Sequence, residues 1–334
     1  MNSGAEMRRR DFIEAIAGAA AGWPLIARAQ QTPMPVIGWL SSGSRDADDA
    51  LRLPPFRLGL NEVGYVEGRN VAIEYRQVAD QVERLPAFAS DLADRKVSLI
   101  VAAGRPDVAL AAKSVTTSLP IVFSNAADPV QLGLVASLNR PGGNITGTTT
   151  DTTELETKRL GLLRELVPSA TSIAVLVNPT RPGVDALLTQ AQQTAGAIAL
   201  TLHILKASSE RDFDEVFATL VQLRPGALII TVDGLFNDQI DQLAALARRY
   251  SVPATFGFRE FAAAGGLMSY GPALGEAYRQ AGILAGRILK GENPADLPVM
   301  RSTKFELVIN MKAAKALGIV VPFSMQMLAD EVIE

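Results

Sequence analysis

The chain has 334 residues, enough for one large domain or for two of about 130–150 residues each. Hydrophobic residues at 48% and charged residues at 20% make an ordinary globular mix, and a net charge of −3 offers no electrostatic footprint for nucleic acid or anionic lipid. There is no cysteine and His203 is the sole histidine, which excludes disulfides, thiolate catalysis, Cys-type zinc sites and most hydrolytic triads before any motif is sought.

The N-terminal stretch Arg9-Arg10-Asp11-Phe12-Ile13 is similar to the twin-arginine export pattern, two arginines just ahead of a short apolar segment. That segment, Phe12 to Ile26, is interrupted by Glu14 and Pro24 and is too short to span a bilayer, which takes about 20 apolar residues. Ala27-Arg28-Ala29 puts small residues at both positions a signal peptidase reads, so residues 1–29 are expected to form an export leader cut before Gln30. No lipid-attachment cysteine follows, and the mature chain is expected to be free in the periplasm, without insertion into the membrane.

From Val36 onward, short β-branched runs alternate with segments of helical period. Val36–Leu40 reads as a buried strand, and the polar loop Ser41–Ser44 leads to a helix near Pro55–Val63. Val71, Ile73 and Tyr75 alternate as in a strand, whereas Val82, Leu85, Phe88 and Leu92 recur every three or four residues as on a helix. Val97–Ala102 is a third strand, a helix follows near Pro106–Val115, and Pro120–Phe123 is a fourth strand. Asp128-Pro129 has the form of a helix N-cap followed by proline at the first helical position.

This order then repeats. Ser172–Val177, Leu200–Leu205, Ala227–Val232 and Val252–Phe256 match the four strands in turn, with a helix over Asp212–Leu223 between the second and third. Matched order at similar spacing predicts two α/β lobes in tandem, each with a parallel sheet covered on both faces. Between them, Arg140–Thr150 is rich in glycine and threonine and reads as a turn and a strand crossing between lobes. Gly266–Tyr270 and Leu297–Ser302 are the other expected crossings. The lobes are therefore expected to comprise residues 30–147 with 272–300, and residues 148–271 with 301–334.

In open parallel sheets, ligands bind beyond the carboxyl ends of strands, where helix N-termini present free amides. Those ends nominate Ser41, Ser42, Ser44, Gly104, Ser124, Asn125 and Ala126 on the first lobe, with Asn178, Asp233, Phe256 and Glu260 on the second, and Thr149 in the crossing strand joins them. Ser42 and Ser44 have a second reading as helix caps. Asn125 ends an apolar strand and precedes two alanines, which leaves it no local partner and favours a place in the cleft. Asp233 ends a buried strand before Gly234; it suits either a ligand ammonium group or a turn. Arg105, Arg181 and Arg259 are candidate carboxylate clamps, although solvated surface positions are the commoner state of arginine. Phe236, Phe256 and Tyr270 could wall the cleft, against a default of core packing. His203, on one face of a strand, reads as a partly exposed residue without a role. Most remaining carboxylates lie on helix faces, where solvation explains them. No glycine-rich dinucleotide fingerprint, P-loop or nucleophile elbow occurs, so no catalytic residue, metal or cofactor is expected.

The segments Ala127–Val130, Gly133–Leu138, Arg140–Gly147, Gly64–Asn70, Ala264–Gly271 and Lys304–Asn310 resemble, in order, those of the ABC transporter substrate-binding proteins of the tryptophan/tyrosine type. The likeness covers nearly all of the mature chain. It implies a type I periplasmic-binding fold: two Rossmann-like, doubly wound lobes, a three-segment hinge and a ligand in the cleft. Pro54-Pro55 departs from that family's continuous first helix, which shifts the helix start. The resemblance further implies capture of a small molecule by lobe closure and delivery to a membrane permease with its ATPase, an aromatic amino acid or related carboxylate being the leading expectation for the ligand. Two other readings stand beside it: a ligand-sensing module for a membrane receptor, and an α/β enzyme using carboxylates such as Asp233 and Glu260. A transcriptional regulator is set aside, because the leader occupies the place of a DNA-binding domain.

Overall fold

A computed structural model of the chain describes residues 34–79, 81–150 and 155–334; the expected leader, residues 1–29, lies outside them. The first half supplies β1 (Val36–Ser41), β2 (Ala72–Gln77), β3 (Leu99–Ala103), β4 (Ile121–Asn125) and β5 (Ile145–Thr149) to one sheet. The second half supplies β6 (Ser172–Val177), β7 (Thr201–Lys206), β8 (Ala227–Ile230), β9 (Ala254–Phe256) and β10 (Met268–Pro272) to another. The chain then returns to the first sheet as β11 (Met300–Arg301) and to the second as β12 (Phe305–Asn310) and β13 (Glu331–Ile333).

The sheet orders are β11-β5-β4-β3-β1-β2 and β13-β12-β10-β9-β8-β6-β7. Both halves thus run second, first, third, fourth, fifth across the sheet, the doubly wound order, and the repeat read from the sequence is a repeat of topology. The central strands are buried from end to end, as parallel strands between two helical layers must be. Alternation sends Ile37, Trp39, Leu99 and Val101 to one face of the first sheet, and Leu40, Ile100, Ala102 and Phe123 to the other. In the second sheet Ala174, Leu176 and Ile230 face one way, while Ile173, Val175 and Ile229 face the other.

One pairing departs from the expected all-parallel sheet: β12 runs antiparallel to β10. The reason is connectivity. β10 leaves the second lobe at its carboxyl end, and the chain re-enters from that same end after β11, so the returning strand must run the opposite way. The chain passes between the sheets after Thr149, between Pro272 and Leu274, and between Arg301 and Phe305. Gly266–Tyr270 is therefore chiefly strand within the second lobe, and the crossing follows it.

Helix Leu274–Leu289 reaches back to the first lobe and packs on helix Leu53–Glu62. Gly59 and Gly282 make the contact: a Cβ on Gly59 would fall 1.9 Å from the Arg279 carbonyl oxygen, and one on Gly282 2.1 Å from that of Phe56. The first helix also begins earlier than expected. Ser44 caps a turn at Arg45–Ala47, and a π-turn over Asp48–Arg52 leads into Leu53, so the chain is helical well before Pro54-Pro55. Prolines at the opening of the regular helix remove no amide that it needs. Asp128 does accept from the amides of Val130 and Gln131, but the chain it caps is a series of turns and not the expected helix.

Candidate functional site

The strand order reverses between β1 and β3 in the first lobe and between β6 and β8 in the second, and at these points the loops part to form a crevice. In the first lobe the Ser42 amide donates to the Ala103 carbonyl (3.2 Å), and the Ser42 hydroxyl accepts from the Arg105 amide (3.0 Å). Gly104, with φ of +101°, lets the chain turn there; a Cβ would sit 2.2 Å from the Ser42 Oγ. In the second lobe Asn178 Nδ2 donates to Asp233 (2.9 Å), which also accepts from the Leu235 amide (2.9 Å) and so caps helix Gly234–Asp238. The turn-forming reading of Asp233 is what the geometry shows.

That short helix meets the first lobe. A Cβ on Gly234 would lie 2.9 Å from the Arg105 Cα, and the Ser42 hydroxyl donates to Asp238 (3.2 Å). Beside this contact a cavity of about 650 Å³ opens between the lobes. Ser42, Ser44, Ala79, Val82 and Arg105 line it from the first lobe, and Thr180, Ser208, Ser209, Glu210, Arg211, Leu235, Asp238 and Gln239 from the second. It is polar, carries charges of both signs and has no aromatic side chain in its wall.

Behind the cavity lies a buried polar cluster. Arg52, 1% exposed, donates through Nε to the Tyr278 hydroxyl (3.0 Å), through one terminal nitrogen to Asp48 (2.7 Å), and through the other to Asp238 of the opposite lobe. Asp48 accepts in addition from Trp39 Nε1 (2.8 Å), Ser41 Oγ (2.8 Å) and Gln77 Nε2 (2.7 Å). Burial works against the Arg52 charge, but Asp238, Tyr278 and Asp48 hold the guanidinium well above its ordinary pKa. Burial also pushes the Asp238 carboxyl up, with Arg52 pulling it back. These carboxylates sit on helix faces, where solvation was expected; for Asp48 and Asp238 that expectation fails, because the faces turn inward.

On the side nearer the crossings, Asn125 Oδ1 accepts from the Ala127 amide (3.1 Å) and the Thr149 hydroxyl donates to the Ala127 carbonyl (2.9 Å). Ser124 and Ala126 are buried alongside them. The other amide atom of Asn125, Nδ2, is buried without a hydrogen-bond partner, and so is Asn237 Oδ1 on the second lobe. Buried polar groups are nearly always paired, so each of these marks a place where a partner is owed.

Several nominated residues stand elsewhere. Ser41 is fully buried with its hydroxyl committed to Asp48 and the Gly43 amide, which removes it from contact with any ligand. Phe256 packs edge-on against Phe258 and Phe261, and Phe236 against Phe213, so both are core and not a cleft wall. Tyr270 is half-buried, and its carbonyl accepts from the buried Arg159. Glu260, in the first turn of helix Arg259–Ala263, keeps one buried carboxylate oxygen without a partner, and burial raises its pKa. Arg105 lines the cavity, whereas Arg259 pairs with Glu306 and Glu331. Sequence reasoning overlooked Ser208–Arg211, which follow β7, and Ala79 and Val82, which follow β2. The strand-end rule applied to these second strands would have found both. Among the described residues no group of three His, Cys, Asp or Glu side chains is placed to hold a metal ion.

Comparison with known proteins agrees with this architecture. The family described as ABC transporter substrate binding protein matches residues 45–333. A tyrosine-binding protein of Clostridioides difficile (strain R20291) is 28% identical over 266 residues, covering 78% of this chain and 75% of that protein. Among solved structures, an ABC domain in complex with L-Trp from Streptococcus pneumonia is 23% identical with a TM-score of 0.77. A ligand-free, open substrate binding protein with adhesive properties from Clostridium difficile is 24% identical with a TM-score of 0.64. Each alignment covers 90% of this chain and 99% of the other.

Proposed function

Because the chain belongs to the ABC transporter substrate binding protein family, with a small-molecule ligand and a transporter permease as its partners, we propose that it works by closing its two lobes on a zwitterionic solute of the amino-acid class. The permease, with its ATPase, then takes up the closed pair, and no bond is made or broken. The single observation that carries this reading is the polar cavity lined from both lobes at the carboxyl ends of their sheets. A molecule held there touches both rims at once, stabilises the closed state by contacts the open state lacks, and is sealed from water. Arg105 and Arg211 are suited to a carboxylate and Glu210 to an ammonium group, while Ser42, Ser44 and Thr180 add hydroxyl oxygens that can accept, the O–H groups of Ser42 and Thr180 being given to Asp238 and Asn178.

Asn178 and Asp233 hold the second rim in shape. The tyrosine-binding relative and the L-Trp complex favour an aromatic amino acid. Export through the twin-arginine leader to the periplasm completes the proposal. Among the described residues no helix is long and apolar enough to cross a membrane.

The test is a thermal-shift titration of the purified protein with L-tyrosine, L-tryptophan and a panel of other amino acids, followed by recovery of the added compound. At 100 times its dissociation constant a ligand adds about 2.7 kcal/mol to unfolding, and it is expected back unchanged. No shift with any member of the panel, or chemical conversion of the one that binds, overturns the reading.

A further inference from the structure

The cavity is flanked by a contact between the lobes that needs no solute. Arg52 belongs to the first lobe, where Asp48 and the Tyr278 hydroxyl hold its guanidinium from two sides. Its remaining nitrogen donates to Asp238 of the second lobe, whose other oxygen accepts from Ser42 of the first. The charge balance at first argues against an attraction here, since Asp48 already offsets Arg52. Asp48, however, is fully buried and takes hydrogen bonds from Trp39, Ser41 and Gln77 besides. Three neutral dipoles thus carry much of its negative charge, and the guanidinium retains attraction for a second carboxylate. Arg52 is 1% exposed with both lobes in place, and within the first lobe Asp48 and Tyr278 already hold two sides of its guanidinium, so closing has only the third side left to cover. Closing moves Asp238 and the remaining side of the Arg52 guanidinium out of water, and Asp238 gains two hydrogen bonds there, one of them charge-assisted.

We infer that Arg52 and Asp238 form a clasp between the lobes that favours closure before any solute is bound, so that the two residues set solute affinity as positioning residues without touching the solute. The inference rests on the closing mechanism proposed above. A solute that binds only the closed form binds more tightly the more that form is populated beforehand. The clasp adjoins the cavity through Asp238, which lines it, so closing the clasp and burying the solute are one movement.

The absence of cysteine allows clean spin labelling. Glu83→Cys on the first lobe and Asp214→Cys on the second, both exposed, report the separation of the lobes by electron–electron double resonance in the ligand-free full chain. The parent is expected to show a short-distance population that falls in Asp238→Asn and falls further in Asp238→Ala. Apparent affinity for L-tyrosine or L-tryptophan, whichever binds, is expected to drop about tenfold in the alanine variant. Asp238→Asn keeps hydrogen-bonding groups at the site and serves as the probe should Asp238→Ala fold poorly. Identical ligand-free distance distributions in parent and variants overturn the clasp. Lost affinity with unchanged ligand-free distances does so too, since Asp238 would then act on the solute directly. Failure of every amino acid to bind, with the distances still shifting, counts against the assigned ligand class and leaves the clasp supported.

Discussion

Glu260 illustrates how a single residue can be legible in position and misread in purpose. Its place beyond β9 suggested ligand contact, yet it stands off the cavity with one carboxylate oxygen unpaired. Burial raises its pKa above the ordinary 4.5, helped by Glu306, while its own backbone amide and Arg259 act the other way. The unfolded chain releases this proton first, so stability falls as pH rises from that ordinary value through the raised one. Glu260→Gln removes the ionisable carboxyl from this buried place and is expected to stabilise the protein at pH 7–8, with the gain fading toward pH 4. Urea titrations across that range check it. Gly104 is a position where backbone dictates residue: Gly104→Ala meets both a φ of +101° and the Ser42 hydroxyl. A loss of at least about 1 kcal/mol is expected in the same assay, with weakened solute binding as the loop shifts. Asn237→Ala removes one of the buried side-chain atoms without a partner among the described residues, and is expected to leave the ligand-free melting temperature near the parent's or above it.

At the scale of elements, periodicity was a good guide to strands and a poorer one to their surroundings. Apolar runs such as Val36–Leu40 and Ser172–Val177 have one structural use in a chain of this composition, and they pair in the order their repetition suggested. The segment from Arg45 to Arg52 was harder, because it is polar and precedes two prolines. Its helical path depends on the π-turn and on Asp48 meeting Trp39 and Gln77, which come from two different strands. The crossing of helices Leu53–Glu62 and Leu274–Leu289 is likewise a tertiary fact written at single glycines. Gly59→Ala would drive its methyl group into a backbone carbonyl of the facing helix, and neither helix can move away without uncovering Phe56 and Tyr278. A destabilisation of about 1–3 kcal/mol or more is expected, measurable as a lower urea midpoint.

The whole molecule is expected to become more compact when it binds. Solution scattering of the ligand-free protein should describe a mixture of open and closed forms, and saturating solute should shift it to the smaller radius of gyration; an unchanged scattering curve despite binding would rule out lobe closure. What the sequence by itself determined was the repeat and the two-lobed α/β architecture, since both follow from local periodicity. Only the tertiary structure decided which polar residues face one another. Arg52 and Asp238 are 186 positions apart, and each lies on a helical segment that looks solvated until the lobes are put together. Phe236 and Phe256 stand where an aromatic wall was expected, and packing against neighbouring rings draws both into the core. The physical reason is common to these cases: burial and charge pairing depend on how segments approach in space, and a one-dimensional pattern carries the period of each segment but not its neighbour.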